Sequence, residues 1–268
     1  MAFVYNTLSK GAVMQKSKAL VTGASNGIGL VFARELARQG YAVTCVARSG
    51  EKLQSLTREL GDEHSFITAD LTDEDDLATV AQNMQGTHYS LLVNNAGYGI
   101  YERFANIPLK KINNLIQLNI TSLVHLSHVF LKSASAGDAL INVSSVLSLL
   151  PLPGSAVYSG TKAFVTNFTE ALWYEYKEKD IYVMALLPGV TQTNFHKVAL
   201  GEKKKNDAHG PGYPPEVIVH DAISALRKRA KPTIITGPRF RFLSFISTRL
   251  LSRSRMINIM GKDSPGLR

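Results

Sequence analysis

Tyr158 and Lys162 stand four residues apart in "VYSGTKAFVTNFTEALWYEY". Apolar side chains recur there at helical spacing, so the pair shares one helix face. An isolated phenol has a pKa of about 10 and exchanges protons poorly near neutrality. An ammonium about 4 Å away, at an effective dielectric of about 20, favours the phenolate by about 4 kcal/mol. That is nearly three pKa units at about 1.4 kcal/mol each, enough to make the phenol a working acid or base. The same spacing also occurs on ordinary helix surfaces, where it does no chemistry. Thirteen residues before Tyr158, Ser145 ends the run "LINVSS". Its hydroxyl can hydrogen-bond an oxygen on which charge accumulates. Asn119 lies among apolar neighbours in "INNLIQLNITSLVHL". An unpartnered buried amide costs about 1–3 kcal/mol, so Asn119 is expected to hold a water or a local backbone kink.

A second group of residues points to a phosphate. "TGASNGIG", residues 22–29, follows an apolar run and opens a helical one. Gly23, Gly27 and Gly29 allow a sharp turn and a close approach to a helix N-terminus, where free N–H groups and the helix dipole favour anions. The candidate phosphate site is Gly23, Ser25, Asn26, Gly27, Ile28 and Gly29. About 20 residues further on, NAD sites carry an acid for the ribose hydroxyls. Here the sequence is "VARSGEK", with Arg48 and Ser49 and no acid before Glu51. A carboxylate would repel a 2′-phosphate, whereas a guanidinium pairs with it, so NADP is favoured over NAD. A plain glycine-rich turn and a solvated strand-end arginine are the ordinary alternatives.

These residues need a frame to bring them together. Runs at 18–24, 41–48, 64–70, 89–97, 138–145, 181–189 and 232–237 are rich in Val, Ile and Leu without clear alternation, as in strands covered on both faces. Helical patterns occupy 28–39, 51–60, 74–84, 109–133, 157–178 and 215–230. The alternation predicts an α/β fold, a doubly wound parallel sheet with helices on both faces. Gly23, Arg48, Asp70, Asn94, Ser145 and Pro188 all fall at predicted strand ends, where such sheets bind ligands.

The 268 residues are 45% hydrophobic and 19% charged, which suits a packed core and excludes a disordered chain. We read one catalytic domain over 17–238, a loosely held extension over 1–16, and a basic apolar segment over 239–268. The single cysteine, Cys45, excludes an internal disulfide framework and is expected to pack in the core. No stretch of roughly 18 apolar residues predicts a spanning helix, and the first residues make a poor signal peptide, so a cytoplasmic enzyme is expected. His125 and His128 have no partner cluster, so no metal site is expected. The net charge of +9 is concentrated: ten basic residues and no acid lie between Asp221 and Asp263, leaving 20 basic and 21 acidic residues elsewhere.

Taken in order, "TGASNGIG", "ADL" at 69–71, "NNAG" at 94–97, Asn119, Ser145, "YSGTK" and "PGVTQT" at 188–193 resemble the short-chain dehydrogenase/reductase family over most of 17–237. The resemblance implies a single Rossmann-type domain with a seven-stranded sheet. It implies Tyr158 as general acid/base, with Lys162 binding the nicotinamide ribose and tuning the phenol. Ser145 would orient the carbonyl, and Asn119 would support a water that relays protons through Lys162. Asp70 and Leu71 would flank the adenine, and Asn94, Asn95, Ala96 and Gly97 would line the cofactor cleft. Pro188, Val190 and Thr193 would hold the nicotinamide end. The resemblance further implies a homodimer or homotetramer. Asn26 departs from members with a basic residue before the middle glycine, which leaves Arg48 and Ser49 as the support for NADP.

Leu147, Leu149, Leu150 and Leu152 beside Ser145, with Tyr98 and Tyr101, suggest an apolar pocket for a ketone or aldehyde on a hydrophobic or acyl-like body. The polar stretch 194–216 is long enough to be a lid. Lys203, Lys204 and Lys205 within it are expected to be solvated. The tail 239–262 mixes arginines with Phe, Leu, Ile and Met. It suits packing against protein, over the pocket or between subunits, and less favourably an anionic membrane surface. It lacks a recognised nucleic-acid module. The resulting expectation is an NADP-dependent oxidoreductase acting on a carbonyl or alcohol. A non-catalytic dinucleotide-binding regulator and an epimerase or dehydratase are the alternatives.

Overall fold

A computed structural model describes residues 16–201, 212–262 and 264–267, with the side chains of 243–248 excepted. The expectations for residues 1–15 and for Lys203–Lys205 lie outside the described residues. All seven expected strands form: β1 (Lys18–Thr22), β2 (Ala42–Ala47), β3 (Ser65–Thr68), β4 (Leu91–Asn94), β5 (Ala139–Val143), β6 (Tyr182–Leu187) and β7 (Thr233–Ile235). Every pairing is parallel, in the order β3-β2-β1-β4-β5-β6-β7. The chain therefore winds outward in both directions from β1 and β4, and the crevice at that reversal is the ligand position of such sheets.

Side chains alternate between two cores. Ala19, Val21, Val43, Cys45, Leu91, Val93, Ile141 and Met184 face helices α1 (Gly27–Arg38), α2 (Gly50–Leu60) and α8 (Pro215–Lys228). Leu20, Val46, Leu92, Leu140 and Val183 face α3 (Glu74–Gly86), α5 (Leu123–Ser133) and the C-terminal half of α6 (Ala156–Tyr176). Burial on both faces removes the polar/apolar alternation that a one-sided sheet would show. Cys45 is buried, and that burial pushes its thiol up to about 12, so it is inert packing. Local chemistry sets helix starts. Asp73 accepts from the backbone N–H of Asp75 (3.0 Å) and Asp76 (3.1 Å), capping α3. Pro215 opens α8, where its missing N–H costs nothing.

The structure differs from the expected elements in three places. The helix expected over 109–133 is α4 (Leu109–Ile116) and α5, joined by a π-helical turn at Gln117–Ser122 that contains Asn119. The stretch expected as a loop over 194–216 begins with a short helix, α7 (Phe195–Leu200). The tail forms two helices, α9 (Pro238–Leu250) and α10 (Arg253–Lys262). Among the described residues no helix is long and apolar enough to cross a membrane.

Candidate active site

The strand-end residues converge as expected. At the β1–α1 turn, Gly23 and Gly27 have φ of +68° and +57°, which glycine adopts without strain. A Cβ on Gly29 would collide with the Gly23 carbonyl oxygen and the Asn95 amide, so only glycine lets α1 start this close to β1. Asn95 ties the turn to β4: its Nδ2 donates to the Thr22 carbonyl (2.9 Å) and its N–H to Thr22 Oγ1 (2.9 Å). The Ala96 N–H donates to the same hydroxyl (3.0 Å). Asn26 at the start of α1 makes no side-chain cap, so the first N–H groups of the helix have no side-chain acceptor. Ser25 and Ile28 are half-buried in the same turn. Backbone N–H groups at a helix start with no side-chain cap suit a diphosphate.

Arg48 is exposed at the end of β2, with Ser49 beside it at the start of α2. Its guanidinium lies 3.7 Å from Asp70 Oδ2 across the end of β3. Asp70 Oδ1 accepts from the Thr72 N–H (3.0 Å) and hydroxyl (2.8 Å), which holds the carboxylate against its own turn. The side chain of Leu71 is buried with Leu77 and Val80 of α3. Asn94 corrects the reading that its side chain lines the cleft. It is buried and donates to Ser127 Oγ (3.1 Å) and Asn142 Oδ1 (3.0 Å), and Asn142 donates on to Thr169 (3.0 Å). This polar ladder fastens β4, β5, α5 and α6 behind the crevice; the asparagines inside "LLVNN" and "LINVSS" were its signal in the sequence.

Tyr158, Lys162, Ser145 and Asn119 meet at the carboxyl ends of β4 and β5. Asn119 clamps the loop after β4: Oδ1 accepts from the Tyr98 N–H (3.2 Å), and Nδ2 donates to the Tyr98 carbonyl (3.0 Å) and Thr161 Oγ1 (3.1 Å). The π turn is what swings this amide inward, so the polar residue in an apolar helix holds a kink. A Cβ on Gly97 would fall 3.0 Å from Asn119 Oδ1 and 3.5 Å from Lys162 Nζ, which places the "NNAG" turn against both. Ser144, next to Ser145, bonds the Lys162 carbonyl (2.8 Å) and Thr166 (2.7 Å), locking α6 to β5.

The electrostatics of the pair require a correction. Lys162 Nζ donates to the Val143 carbonyl at 2.7 Å and lies 5.9 Å from the centre of the Tyr158 ring. Burial holds the Tyr158 phenol well above its ordinary value, nearby Tyr101 adds to this, and a hydrogen bond with Ser145 acts in the opposite direction. Burial also pushes Lys162 down to about 8. Desolvation of both buried groups is the leading effect here, and the attraction between cation and phenolate does not offset it.

On the substrate side, Tyr101, Leu147, Leu152, Phe195, Ala199, Leu200 and Met260 form one apolar cluster. Phe195 packs on Tyr158 with ring centres 5.4 Å apart, and the Tyr101 N–H donates to the Ala199 carbonyl (2.9 Å). Leu147, Leu152 and Tyr101 thus meet as expected. Leu149 does not: it packs with Val146, Ile235 and Phe240 in a separate cluster. Tyr98 is half-buried and donates to the Lys111 carbonyl (3.3 Å). Pro188 accepts from the Val146 N–H (3.0 Å), Val190 from the Tyr213 N–H (2.9 Å), and Thr193 Oγ1 from the Phe195 N–H (3.2 Å) at the start of α7. A Cβ on Gly27 would lie 3.1 Å from Thr193 Cγ2, so the loop after β6 closes over the glycine turn. Sequence reasoning missed Thr22, Phe195 and Met260. Thr22 carries a signal as a polar residue ending an apolar strand; a phenylalanine and a methionine carry none.

The sequence profile described as short chain dehydrogenase matches residues 17–204. The very-long-chain 3-oxoacyl-CoA reductase-B of Danio rerio is 35% identical over 205 residues, covering 71% of this chain and 66% of the relative. The 17-beta-hydroxysteroid dehydrogenase type 3 of Homo sapiens is 35% identical over 188 residues, covering 67% and 60%. The chain thus spans 60–66% of the length of these two relatives. A solved short-chain dehydrogenase from Sphingobium yanoikuyae in complex with NADPH matches with a TM-score of 0.75 at 28% identity, over 89% of this chain and 99% of that one.

Proposed function

Because the chain belongs to the short chain dehydrogenase family, we propose that it is an NADP-dependent oxidoreductase that reduces a ketone or aldehyde on an apolar or acyl-like body, or oxidises the matching alcohol. The observation that carries the reading is the meeting of Ser145, Tyr158, Lys162 and Asn119 beside the glycine turn. When bound, the dihydronicotinamide supplies the hydride. Gly23–Gly29 and the N-terminus of α1 would hold its diphosphate, Arg48 and Ser49 the 2′-phosphate, and Lys162 the nicotinamide ribose. Asn95–Gly97 and the loop Pro188–Thr193 would border it.

Ser145 donates a hydrogen bond to the carbonyl oxygen, which strengthens as negative charge grows there. Tyr158 gives that oxygen its proton. An alkoxide is more basic than any phenolate, so the transfer is downhill even from a phenol whose pKa burial has raised. The high value keeps Tyr158 protonated and ready to donate at neutral pH. Lys162, titrating at about 8, exchanges a proton readily near neutrality and can return one towards the phenol. Asn119 acts here as a positioning residue: it fixes the loop through Tyr98 and Thr161 and thereby the space beside Lys162.

The apolar cluster around Tyr101 supports the substrate class, and relatives named as 3-oxoacyl-CoA and hydroxysteroid enzymes act on bodies of that kind. NADPH oxidation with a panel of carbonyl compounds tests the reading. Turnover of long-chain or polycyclic ketones supports it, and strict preference for small charged carbonyls overturns the substrate assignment. Arg48→Ala tests the cofactor. Losing one charge-assisted phosphate contact should weaken NADPH roughly 10- to 100-fold and leave NADH nearly unchanged. Equal weakening of both would assign Arg48 to the strand end. We also propose a homo-oligomer built on the outer faces of α4 and α6. Leu109, Ile116, Phe164 and Tyr174 are exposed there, and Phe164 stacks on Phe168. Phe164→Arg should dissociate it in sedimentation velocity; an unchanged profile would remove this face from the assembly.

A further inference from the structure

The two C-terminal helices have an inner side that is fixed and an outer side that is not covered. On the inner side, Met256 is buried and Met260 joins Tyr101, Leu152 and Phe195. Beyond α10, Ser264 bonds the Pro153 carbonyl, and Gly266 lies so close to Gly154 and Glu102 that a Cβ would collide with their backbone. The tail is therefore fastened to the two loops that flank Tyr158. On the outer side, Phe242 is 65% exposed, Leu250 72% and Ile259 56%, so most of each apolar side chain stays in water. Between them, Arg239, Arg253, Arg255 and Lys262 are exposed and pair with no acid among the described residues. Arg241 is different, because Asp221 holds it at 2.8 Å. Arg253 also edges a mainly apolar cavity of about 290 Å³ lined by Leu147, Pro151 and Leu152.

We propose that α9 and α10 form a docking surface for an anionic lipid bilayer. The sequence from 222 to 262 has no acid, and the exposed Arg239, Arg253, Arg255 and Lys262 make the two ends of the face complementary to negative charge. A second copy would bring like charges together. A nucleic acid has no use for exposed Phe242, Leu250 and Ile259, whereas a bilayer interface takes up such side chains while phosphates meet the arginines. The inner side of α10 reaches the apolar cluster beside Tyr158, so a docked molecule holds its substrate mouth at the surface where apolar compounds partition. The docking itself does not depend on which reaction the site performs.

The test is co-sedimentation of the full chain with vesicles of phosphatidylcholine alone and of phosphatidylcholine mixed equally with phosphatidylserine. The wild-type protein should pellet only with the mixed vesicles, and added salt should weaken the binding. Arg239→Gln, Arg255→Gln and Lys262→Gln together should lower the partition roughly a hundredfold, at about a factor of five per basic residue lost. Glutamine keeps helix propensity close to that of arginine and lysine, and unchanged melting and NADPH binding would show that the fold is intact. Phe242→Ser with Ile259→Ser should weaken the binding that survives high salt. Three results would overturn the proposal: no capture by the mixed vesicles, equal capture of the folded triple variant, or tighter binding to polyglutamate than to the vesicles. The last would reassign the face to an acidic protein. A failure here would leave the oxidoreductase reading untouched, since that rests on turnover.

Discussion

The two sides of the crevice are held by different kinds of contact. Around the ends of β1 and β4, every contact is made to backbone: Gly29 against the Gly23 carbonyl, Thr22 Oγ1 against two N–H groups, Asn95 Nδ2 against the Thr22 carbonyl. Between β6 and the C-terminus, side chains meet side chains: Phe195 on Tyr158, Met260 on Tyr101 and Leu152, Phe240 under Leu149. Hydrogen bonds and hard backbone contacts tolerate almost no displacement, whereas apolar packing accepts other shapes of similar volume. A wall of the first kind suits a ligand of one fixed shape, and a wall of the second kind suits ligands of varied shape.

Tyr158 stands where the two walls meet, so its removal gives the largest effect. Tyr158→Phe keeps the ring that packs on Phe195 and deletes only the acid. Turnover of the best carbonyl should fall about 10²- to 10⁴-fold, the usual worth of a positioned acid, with NADPH affinity nearly unchanged. Stopped-flow NADPH oxidation and a fluorescence titration separate the two quantities. If turnover persists at the parent rate, Tyr158 is not the proton donor.

Gly29→Ala attacks the cofactor wall. The new methyl meets a carbonyl oxygen and cannot be absorbed by a rotamer change, so NADPH binding should be abolished or the protein should lose several kcal/mol. Gly160→Ala supplies the contrast. It lies inside α6, and nothing stands within 4 Å of its Cβ position. There alanine should stabilise by about 0.5–1 kcal/mol, the ordinary helix preference. Thermal melts of both variants check this. Equal effects would mean that helical glycine, and not the turn, sets the cost.

Sequence made the first wall readable and the second largely not. Gly23, Gly27 and Gly29 do something no other residue does, so their spacing carries information, and Asn119 announces itself as an amide in an apolar helix. Met260 meets Tyr101 across most of the chain, and any large apolar residue could make the contact. Leu149 shows the same limit: four leucines beside Ser145 look alike, and only the path of the loop sends one of them towards Phe240. The Tyr158–Lys162 spacing placed the pair correctly, but the sign of its electrostatics depended on burial, a property of the whole fold. The seven strands and the parallel sheet followed from apolar runs; strand order did not, because an apolar run carries no pairing information, and strand ends did not, because the chemistry-bearing residues leave the ladder just before the apolar pattern stops.

On the second wall, Met260→Ala should act moderately. The side chain is half-buried, so the cost in stability is about 1 kcal/mol, below the range for a fully buried methionine. KM for a long apolar ketone should rise severalfold while kcat changes little, since the removed contact serves bound substrate and transition state alike. A fall in kcat at constant KM would place Met260 in the alignment of the reacting atoms.

A pH dependence joins the walls through Lys162, and it leaves turnover aside and shows only in stability. Its folded value, about 8, lies below the ordinary lysine value of 10.5. Above about pH 8 the folded protein has released this proton while the unfolded chain still holds it. The unfolded state then binds more protons, and stability rises with pH by at most about 1.4 kcal/mol per unit. Cys45 works in the opposite direction: burial pushes it up to about 12, so above about 9 the unfolded chain loses a proton that the fold retains, and stability falls. The clean window is therefore pH 8 to 9. There the wild-type protein should gain stability in denaturant melts, and Lys162→Met should show no gain. A rise that survives in Lys162→Met would trace it to another group and leave Lys162 protonated throughout, with its charge available to the phenol after all.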